Sequence, residues 1–345
     1  MRILSVGGMD GLSNTCLHRH WALEKIADET DVVNTSGKCS LWYRIAYHLF
    51  LYGIPVRLPE NNNENAQIIQ KVKEKDYDIV WIDKGVTIFP ETLKFIKAHS
   101  PRTIIVSYSP DNMALRHNQS RQYVECIPLY DHIITNKSYI LDDMRRLGAK
   151  DIRFVNNSYE KTFHHPRTLS DEDRSRIGGD IGFVGSWEQE RCDSILYLAK
   201  HGLNVRVWGG GKWLEYKGKY PNLTIEDKGL YSEDYSKSFQ AFKISLCFLR
   251  KMNFDQQTTR TVEIPACGGF MMAERTDEHR AMFAEDKEAV YFSSNEELLD
   301  KCRYYLSHEE ERRQIAEAGL TRCLTSDYSN EGMVRNVIKN ILSEK

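Results

Sequence analysis

No window of about 18 apolar residues occurs anywhere in the chain, so no segment is expected to span a membrane. The eight cysteines include no Cys-x-x-Cys pair, and no cysteine–histidine cluster has zinc spacing. They read as reduced thiols, several of them buried as small apolar residues. Neither sign of charge dominates. With 47 basic and 49 acidic residues the formal charge is −2. That leaves no global basic field and argues against a dedicated nucleic-acid binder. The opening Met-Arg-Ile-Leu-Ser-Val-Gly-Gly lacks a basic region followed by a longer apolar stretch, so it reads as a strand rather than a signal peptide. A cytoplasmic location is expected. Low-complexity sequence is confined to Asn61-Asn62-Asn63, a loop tip.

What the chain has is length and alternation. Its 345 residues are about twice a typical domain, so two domains are expected, each able to bury a core without staples. Apolar runs of four to six residues alternate with helical patterns, as a parallel sheet covered on both faces requires. Strands are expected at Arg2–Val6, Asp78–Ile82, Thr103–Ser107 and His132–Thr135, with helices around 18–27, 65–75 and 90–98. The pattern weakens from Tyr159 to Gly179, and residues 166–179 are expected to be a linker after a domain of residues 1–165. It then restarts, giving a second domain over 180–327. Strands are expected at Asp180–Val184, Asn204–Trp208, Ile244–Leu249 and Gly269–Ala273, and helices at 192–201 and 309–319. Residues 328–345 carry Met333, Val334, Val337, Ile338, Ile341 and Leu342 on one helical face, the pattern of a final packed helix. Two successive α/β halves imply two Rossmann-like domains, with ligands at the carboxyl ends of the strands.

The segment Thr258–Glu274 holds the most chemistry. Pro265 is expected just inside a short helix that Gly268-Gly269 ends. A helix start offers free N–H groups to phosphate oxygens, here near Ile264, Pro265 and Ala266. Glu263 can accept hydrogen bonds from a ribose diol, and Arg260 can fork onto a diphosphate. Spacing alone equally allows Glu263 to cap the helix and pair with Arg260.

The run T-x-R-x-x-E-I-P-A-C-G-G, followed by Ala273-Glu274-Arg275, resembles the C-terminal domain of the group 1 glycosyltransferases, and most closely the branch named after the spore maturation protein CgeB. Ile181–Ser186 with Arg191 resembles that domain's opening strand and turn. Val207–Trp213 resembles its second strand and glycines, and Lys243–Leu246 with Arg250 the strand before the arginine–glutamate motif. Glu296–Leu298, Tyr304–Leu306 and Ile315–Gly319 resemble its closing helices, so the likeness covers residues 180–330. Asp83-Lys84-Gly85 and Ser109-Pro110-Asp111 are similar to the same branch in the first half. The resemblance implies the GT-B fold, with two Rossmann-like domains facing a central cleft and the last helix crossing back to the first domain. It implies a hexosyltransferase-like enzyme that transfers a sugar from a nucleotide-sugar donor with retention, and no cofactor or catalytic metal. Asp255 stands eight positions before Glu263, where the superfamily usually has glutamate. Arg191, Arg250, Arg260 and Lys243 are the candidates for the donor diphosphate, beside Gly185, Ser186, Gly209 and Gly210.

The first half offers weaker signals. Gly8, in the loop after the first strand, has the flexibility to bring backbone N–H groups to phosphates or acceptor, or to serve only as a turn. Asp111 and Lys84 follow strand ends and are candidates for acceptor contacts; an ordinary turn and a solvated loop explain them equally. His18 and His20 read as helix residues, and His164-His165 lacks the third ligand a metal needs. The aromatic helix at Leu41–Tyr52 reads as core or domain face, with contact to a membrane surface and a lipid-linked acceptor as the alternative. The acceptor (glycan, lipid, protein or small molecule) stays open. Two other functions stay open on the same scaffold: a non-catalytic nucleotide-sugar binder, and a sugar-nucleotide epimerase or hydrolase.

Overall fold

The computed structural model describes residues 1–343. It divides into two units. One is Met1–Asn156 together with the chain from Met333 on; the other is Asn157–Gly332.

In the first unit, strands β1 (Arg2–Gly7), β2 (Glu29–Asn34), β3 (Ile79–Asp83), β4 (Ile104–Ser109), β5 (His132–Thr135) and β6 (Ile152–Phe154) form one parallel sheet in the order β2-β1-β3-β4-β5-β6. Register pairs Ile3 with Ile79 and Val80 with Ile105. Side chains alternate across the pleat, so one run of apolar residues feeds two cores. Leu4, Val6, Val80, Ile82 and Ile105 pack on one face. Ile3, Ile79, Trp81, Ile104 and Val106 pack on the other. That second face is covered by the helix Thr15–Ile26 and by the last helix, Asn330–Ser343, which buries Met333, Val334, Val337, Ile338 and Ile341 in it. The final helix thus returns to the first unit, as the resemblance implied.

In the second unit, β7 (Gly179–Val184), β8 (Val205–Trp208), β9 (Leu223–Glu226), β10 (Phe242–Cys247), β11 (Met271–Glu274) and β12 (Val290–Phe292) form a second parallel sheet in the order β12-β11-β10-β7-β8-β9. Ile181, Phe183, Val207, Ile244, Leu246 and Met272 fill one face. Cys247, Ile264, Met271, Ala273 and Tyr291 lie in the core of the other. Both sheets reverse direction of winding at one place, between β1 and β3 in the first and between β7 and β10 in the second. Such a switch point leaves a crevice at the carboxyl ends of its two strands.

Every expected strand is present within a residue or two, and β2, β6, β9 and β12 are additional. Residues 166–179, expected as a linker, instead carry the helix Asp171–Ile177 and belong to the second unit. Ser170 caps this helix, and Asp173 and Arg176 pair with Lys237 and Asp234 of the helix Ser232–Ala241. Seven cysteines are buried, Cys39 is exposed, and all eight are free thiols. Among the described residues no helix is long and apolar enough to cross a membrane.

Candidate functional site

The carboxyl ends of β7 and β10 gather three of the four basic candidates. Arg260 opens the helix Arg260–Ala266 and donates from Nε to the Val184 carbonyl, at 2.7 Å, on the last residue of β7. Arg191 is buried, and its guanidinium donates to the carbonyls of Ser186 (3.1 Å) and Leu249 (3.3 Å), so it ties the loop after β7 to the end of β10. Burial pulls its pKa below the ordinary guanidinium value. Arg250 is half exposed, with Nε 3.1 Å from Glu188. Arg191 lies 3.8 Å from the same carboxylate.

Gly185 shows why this turn takes no side chain. A Cβ there would stand 2.8 Å from the Phe183 ring and 3.1 Å from the Arg260 guanidinium. Its carbonyl accepts from the Trp213 indole at 3.0 Å. Gly209 and Gly210 follow β8 beside it. A Cβ on Gly209 would collide with Trp213, and Gly210 has a φ of +67°. These glycines make the turn and its packing, and the indole holds the backbone next to Arg260.

Glu263 sits in the first turn of the Arg260 helix and is buried. Its Oε2 accepts from the Tyr235 hydroxyl at 2.6 Å, and its Oε1 lies 3.7 Å from His164 Nε2. The carboxylate pushes the Tyr235 pKa further up than burial alone. Sequence reasoning missed both partners. Tyr235 is an unremarkable tyrosine 28 positions away. His164 was weighed only as a metal ligand, and its Nδ1 accepts from the Glu160 amide. A carboxylate oxygen takes two hydrogen bonds, so the Tyr235 contact still leaves Glu263 with acceptor capacity.

The helix begins earlier than the sequence pattern predicts. Thr259 is its N-cap residue and Pro265 stands sixth of seven, so Ile264, Pro265 and Ala266 lie at the buried carboxyl end rather than at the start. The expectation that their amides face phosphate is therefore wrong. A threonine–histidine network sets the start. The Thr258 amide donates to Thr261 Oγ1 (3.0 Å), and Thr261 Oγ1 meets His279 Nε2 at 2.8 Å. His279 Nδ1 is 2.7 Å from the Glu274 carbonyl, which can only accept. Nδ1 therefore carries a proton, and because desolvation lowers the imidazole pKa to about 4 the ring is neutral near pH 7, so Nε2 accepts from Thr261.

Asp255 is buried and follows Phe254, a non-glycine residue at φ +56°. Its amide donates to the Arg250 carbonyl, at 3.2 Å, so the loop folds back on the end of β10. Lys243 does not join the arginines. It is the second residue of β10, at the opposite end of the strand, and pairs with Asp180 at 2.8 Å. There it lines a separate cavity of about 510 Å³ with Arg174 and Arg312.

In the first unit, a cavity of about 320 Å³ opens at the carboxyl ends of β1 and β3. Gly8, Asn14, Asp83, Lys84 and Asp111 line it. Arg19 and Asp83 form a bidentate pair at 2.6 and 2.8 Å, both buried, with the guanidinium 4.2 Å above the Tyr108 ring. Lys84 adopts φ +62° and reaches Asp111 at 2.6 Å. A left-handed lysine is strained, and strain of this kind collects at ligand sites. His18 is hydrogen-bonded to the Leu12 carbonyl and stacked on Trp21. His20 is buried, which lowers its pKa. Two Asp-x-Asp triplets, Asp76-Tyr77-Asp78 and Asp171-Glu172-Asp173, escaped the sequence reading; Asp76 accepts from the Ser100 hydroxyl, Asp78 from the Arg2 amide, and Asp173 is consumed by Arg176 and Lys237. Among the described residues no three histidine, cysteine or acidic side chains come together to hold a metal.

A family model described as glycosyl transferase-like matches residues 191–339. No curated protein matches the chain. Among solved structures, HepE of Anabaena in complex with UDP-glucose superposes with a TM-score of 0.66 at 13% identity, covering 99% of this chain and 100% of that one. Sucrose-phosphate synthase of Thermosynechococcus elongatus gives 0.64 at 9% identity, over 100% and 99% of the two chains. A glycosyltransferase of Rickettsia africae gives 0.64 at 10%, over 98% and 97%. With two six-stranded parallel sheets and a likeness that runs the length of the chain, the protein has the GT-B fold of the glycosyltransferases.

Proposed function

We propose that the protein is a metal-independent, retaining glycosyltransferase that takes a hexose-type sugar from a nucleotide-sugar donor, and that it belongs to the CgeB-like branch. The observation that carries the reading is the set of three arginines at the β7/β10 switch point, one turn of helix from the buried carboxylate of Glu263. Glycosyl transfer leaves a nucleoside diphosphate while the anomeric carbon becomes cation-like. Without a metal, fixed positive groups must carry that charge. Arg260 and Arg250 are assigned to the diphosphate, and Arg191, held between two strand ends, to positioning the loop they reach across. Glu263 is assigned to the ribose hydroxyls and Asp255 to the sugar or acceptor. In the first unit, Asp111 and Lys84 line the cavity and are assigned to the acceptor hydroxyl.

UDP-glucose is the first probe, since HepE is seen with that donor. Calorimetry is expected to show binding of UDP-glucose or another nucleotide sugar to the native chain. Arg260→Ala is expected to weaken it about 10–150-fold, the loss of one charge-assisted hydrogen bond. Release of nucleoside diphosphate that depends on added acceptor separates transfer from epimerisation, hydrolysis or mere binding. A chain that binds no nucleotide or nucleotide sugar overturns the reading.

A further inference from the structure

The helix Leu41–Leu51 is apolar on two sides, and the first unit accounts for only one of them. Ala46 and Phe50 are buried against the domain, with Tyr43 and Tyr47 half-buried beside them. On the other side Leu41 is 75% exposed, Trp42 54%, Ile45 42% and Tyr52 86%, and Ile54 follows at 48%. At 3.6 residues per turn, Leu41, Trp42, Ile45, Leu49 and Tyr52 fall within an arc of about 100°. Four of the fifteen large exposed apolar side chains among the described residues, Leu41, Trp42, Ile45 and Tyr52, therefore share this one face, and Ile54 follows just beyond it. Scattered exposed apolar residues need no explanation; a contiguous face does.

Charge selects the occupant. Residues 32–59 contain no aspartate or glutamate. Within them Lys38 and Arg44 are exposed, and neither pairs with a carboxylate among the described residues. His48 is exposed on the same helix. Aromatic and aliphatic side chains on one face, cations at its margin and no acid within the segment itself are the composition that seats a helix at the headgroup level of an anionic bilayer. A water-soluble protein partner would demand no such depletion of acidic residues. The segment is also tied to the candidate site, because Tyr43 of this helix lines the 320 Å³ cavity that holds Lys84 and Asp111.

We propose that this face rests on an anionic lipid surface and that the acceptor is a lipid-linked molecule presented to the first-unit cavity from that surface. The inference rests on the glycosyltransferase reading for the acceptor, and on the helix face alone for the membrane contact. Trp42 and Leu41 enter the interface, Lys38 and Arg44 meet the headgroups, and Tyr43 stands between the lipid and the cavity.

The test is co-sedimentation of the full chain with vesicles of phosphatidylcholine alone, and of phosphatidylcholine mixed equally with phosphatidylglycerol. Binding is expected on the anionic vesicles and weakly or not at all on the neutral ones. The variant Leu41→Ser/Trp42→Ser/Ile45→Ser is expected to lose at least about tenfold in vesicle affinity. Lys38→Gln and Arg44→Gln are each expected to lose about fivefold, on anionic vesicles only. The serine variant replaces exposed side chains, so its melting temperature and its calorimetric affinity for UDP-glucose are expected to equal those of the native chain. No binding to anionic vesicles, equal binding to both kinds, or binding unchanged in the serine variant overturns the proposal. So does a dimer in sedimentation velocity that the serine substitutions dissolve while vesicles bind neither form, for the face would then join two copies. Vesicle failure with nucleotide binding intact sinks this inference alone; vesicle binding without nucleotide binding sinks the enzymatic reading instead.

Discussion

Acid should loosen the second unit around the Arg260 helix before it attacks the carboxylate pairs, and His279 is the reason. The imidazole is buried and neutral, between the Glu274 carbonyl and the Thr261 hydroxyl, and stacks on Tyr291. Desolvation holds its pKa down, from 6.5 to about 4, against the opposing pull of the carbonyl. In the unfolded chain the same group takes a proton near its ordinary value. A folded pKa below the unfolded one means that the unfolded state binds more protons in the window between them. The stabilisation is therefore complete above about pH 6.5 and is lost as pH falls toward 4. From about pH 7.5 to about pH 5 the loss works out at about 2 kcal/mol, at 1.36 kcal/mol per unit. For a unit of this size that is a fall of about 4–8 °C in melting temperature. His279→Gln removes the titration. It is expected to melt lower than the native chain at neutral pH, having lost part of the network, yet to fall by about 4–8 °C less on acidification. Differential scanning calorimetry of both proteins at the two pH values reads this difference directly. Parallel lines, with the variant as acid-sensitive as the native chain, would refute the argument. Thr261 adjoins Arg260, so the same acidification is expected to weaken nucleotide affinity.

Glu263→Ala should cost about 1.5–3 kcal/mol of nucleoside diphosphate affinity, the range for a hydrogen bond to a charged group. Unchanged calorimetric affinity in a folded variant would remove Glu263 from the donor site. Sugar transfer is expected to survive excess chelator. Abolition by chelator with rescue by manganese or magnesium would refute metal independence. Ile338→Ala, in the last helix, is expected to cost about 2–5 kcal/mol of stability in urea unfolding, because Ile338 is buried in the core with Ile3 and Trp81. A loss below about 1 kcal/mol would mean that the helix adds little to the first unit.

Eight of the twelve strands are legible because they are buried on both faces and therefore written as unbroken apolar runs. The other four are not. β2 reads Glu-Thr-Asp-Val-Val-Asn and buries only Val33, since it is an edge strand with most of its side chains in solvent. β6 and β12 are three residues long, too short for any period to show, and β9 is another edge. The boundary between the units was misplaced for a related reason. Asp171–Arg176 is polar because its helix lies on the surface and is held by ion pairs to Lys237 and Asp234, and polarity without visible partners looks like linker.

The site shows the same division more sharply. Arg260 and Glu263 stand three apart on one helix, so a local motif contains them both. What fixes them does not lie nearby in sequence. Tyr235 reaches Glu263 across 28 positions, and Arg19 reaches Asp83 across 64. An aspartate closing the strand Ile-Val-Trp-Ile-Asp did carry a signal, since a buried carboxylate at the end of an all-apolar run demands a cation. The signal does not say which cation. Lys243 fails for the complementary reason. A basic residue on the right strand is useful at one end only, and the second position of β10 faces away from the switch point by the length of the strand. Pro265 makes the point for helices. A proline looks like a first-turn residue, but here Thr258, Thr261 and His279 start the helix five residues earlier. That leaves the proline in the last turn, where only one internal hydrogen bond is forfeited. The motif thus names Arg260 and Glu263, while a histidine 19 positions downstream of Arg260 helps to set where that helix begins, and so where both of them point.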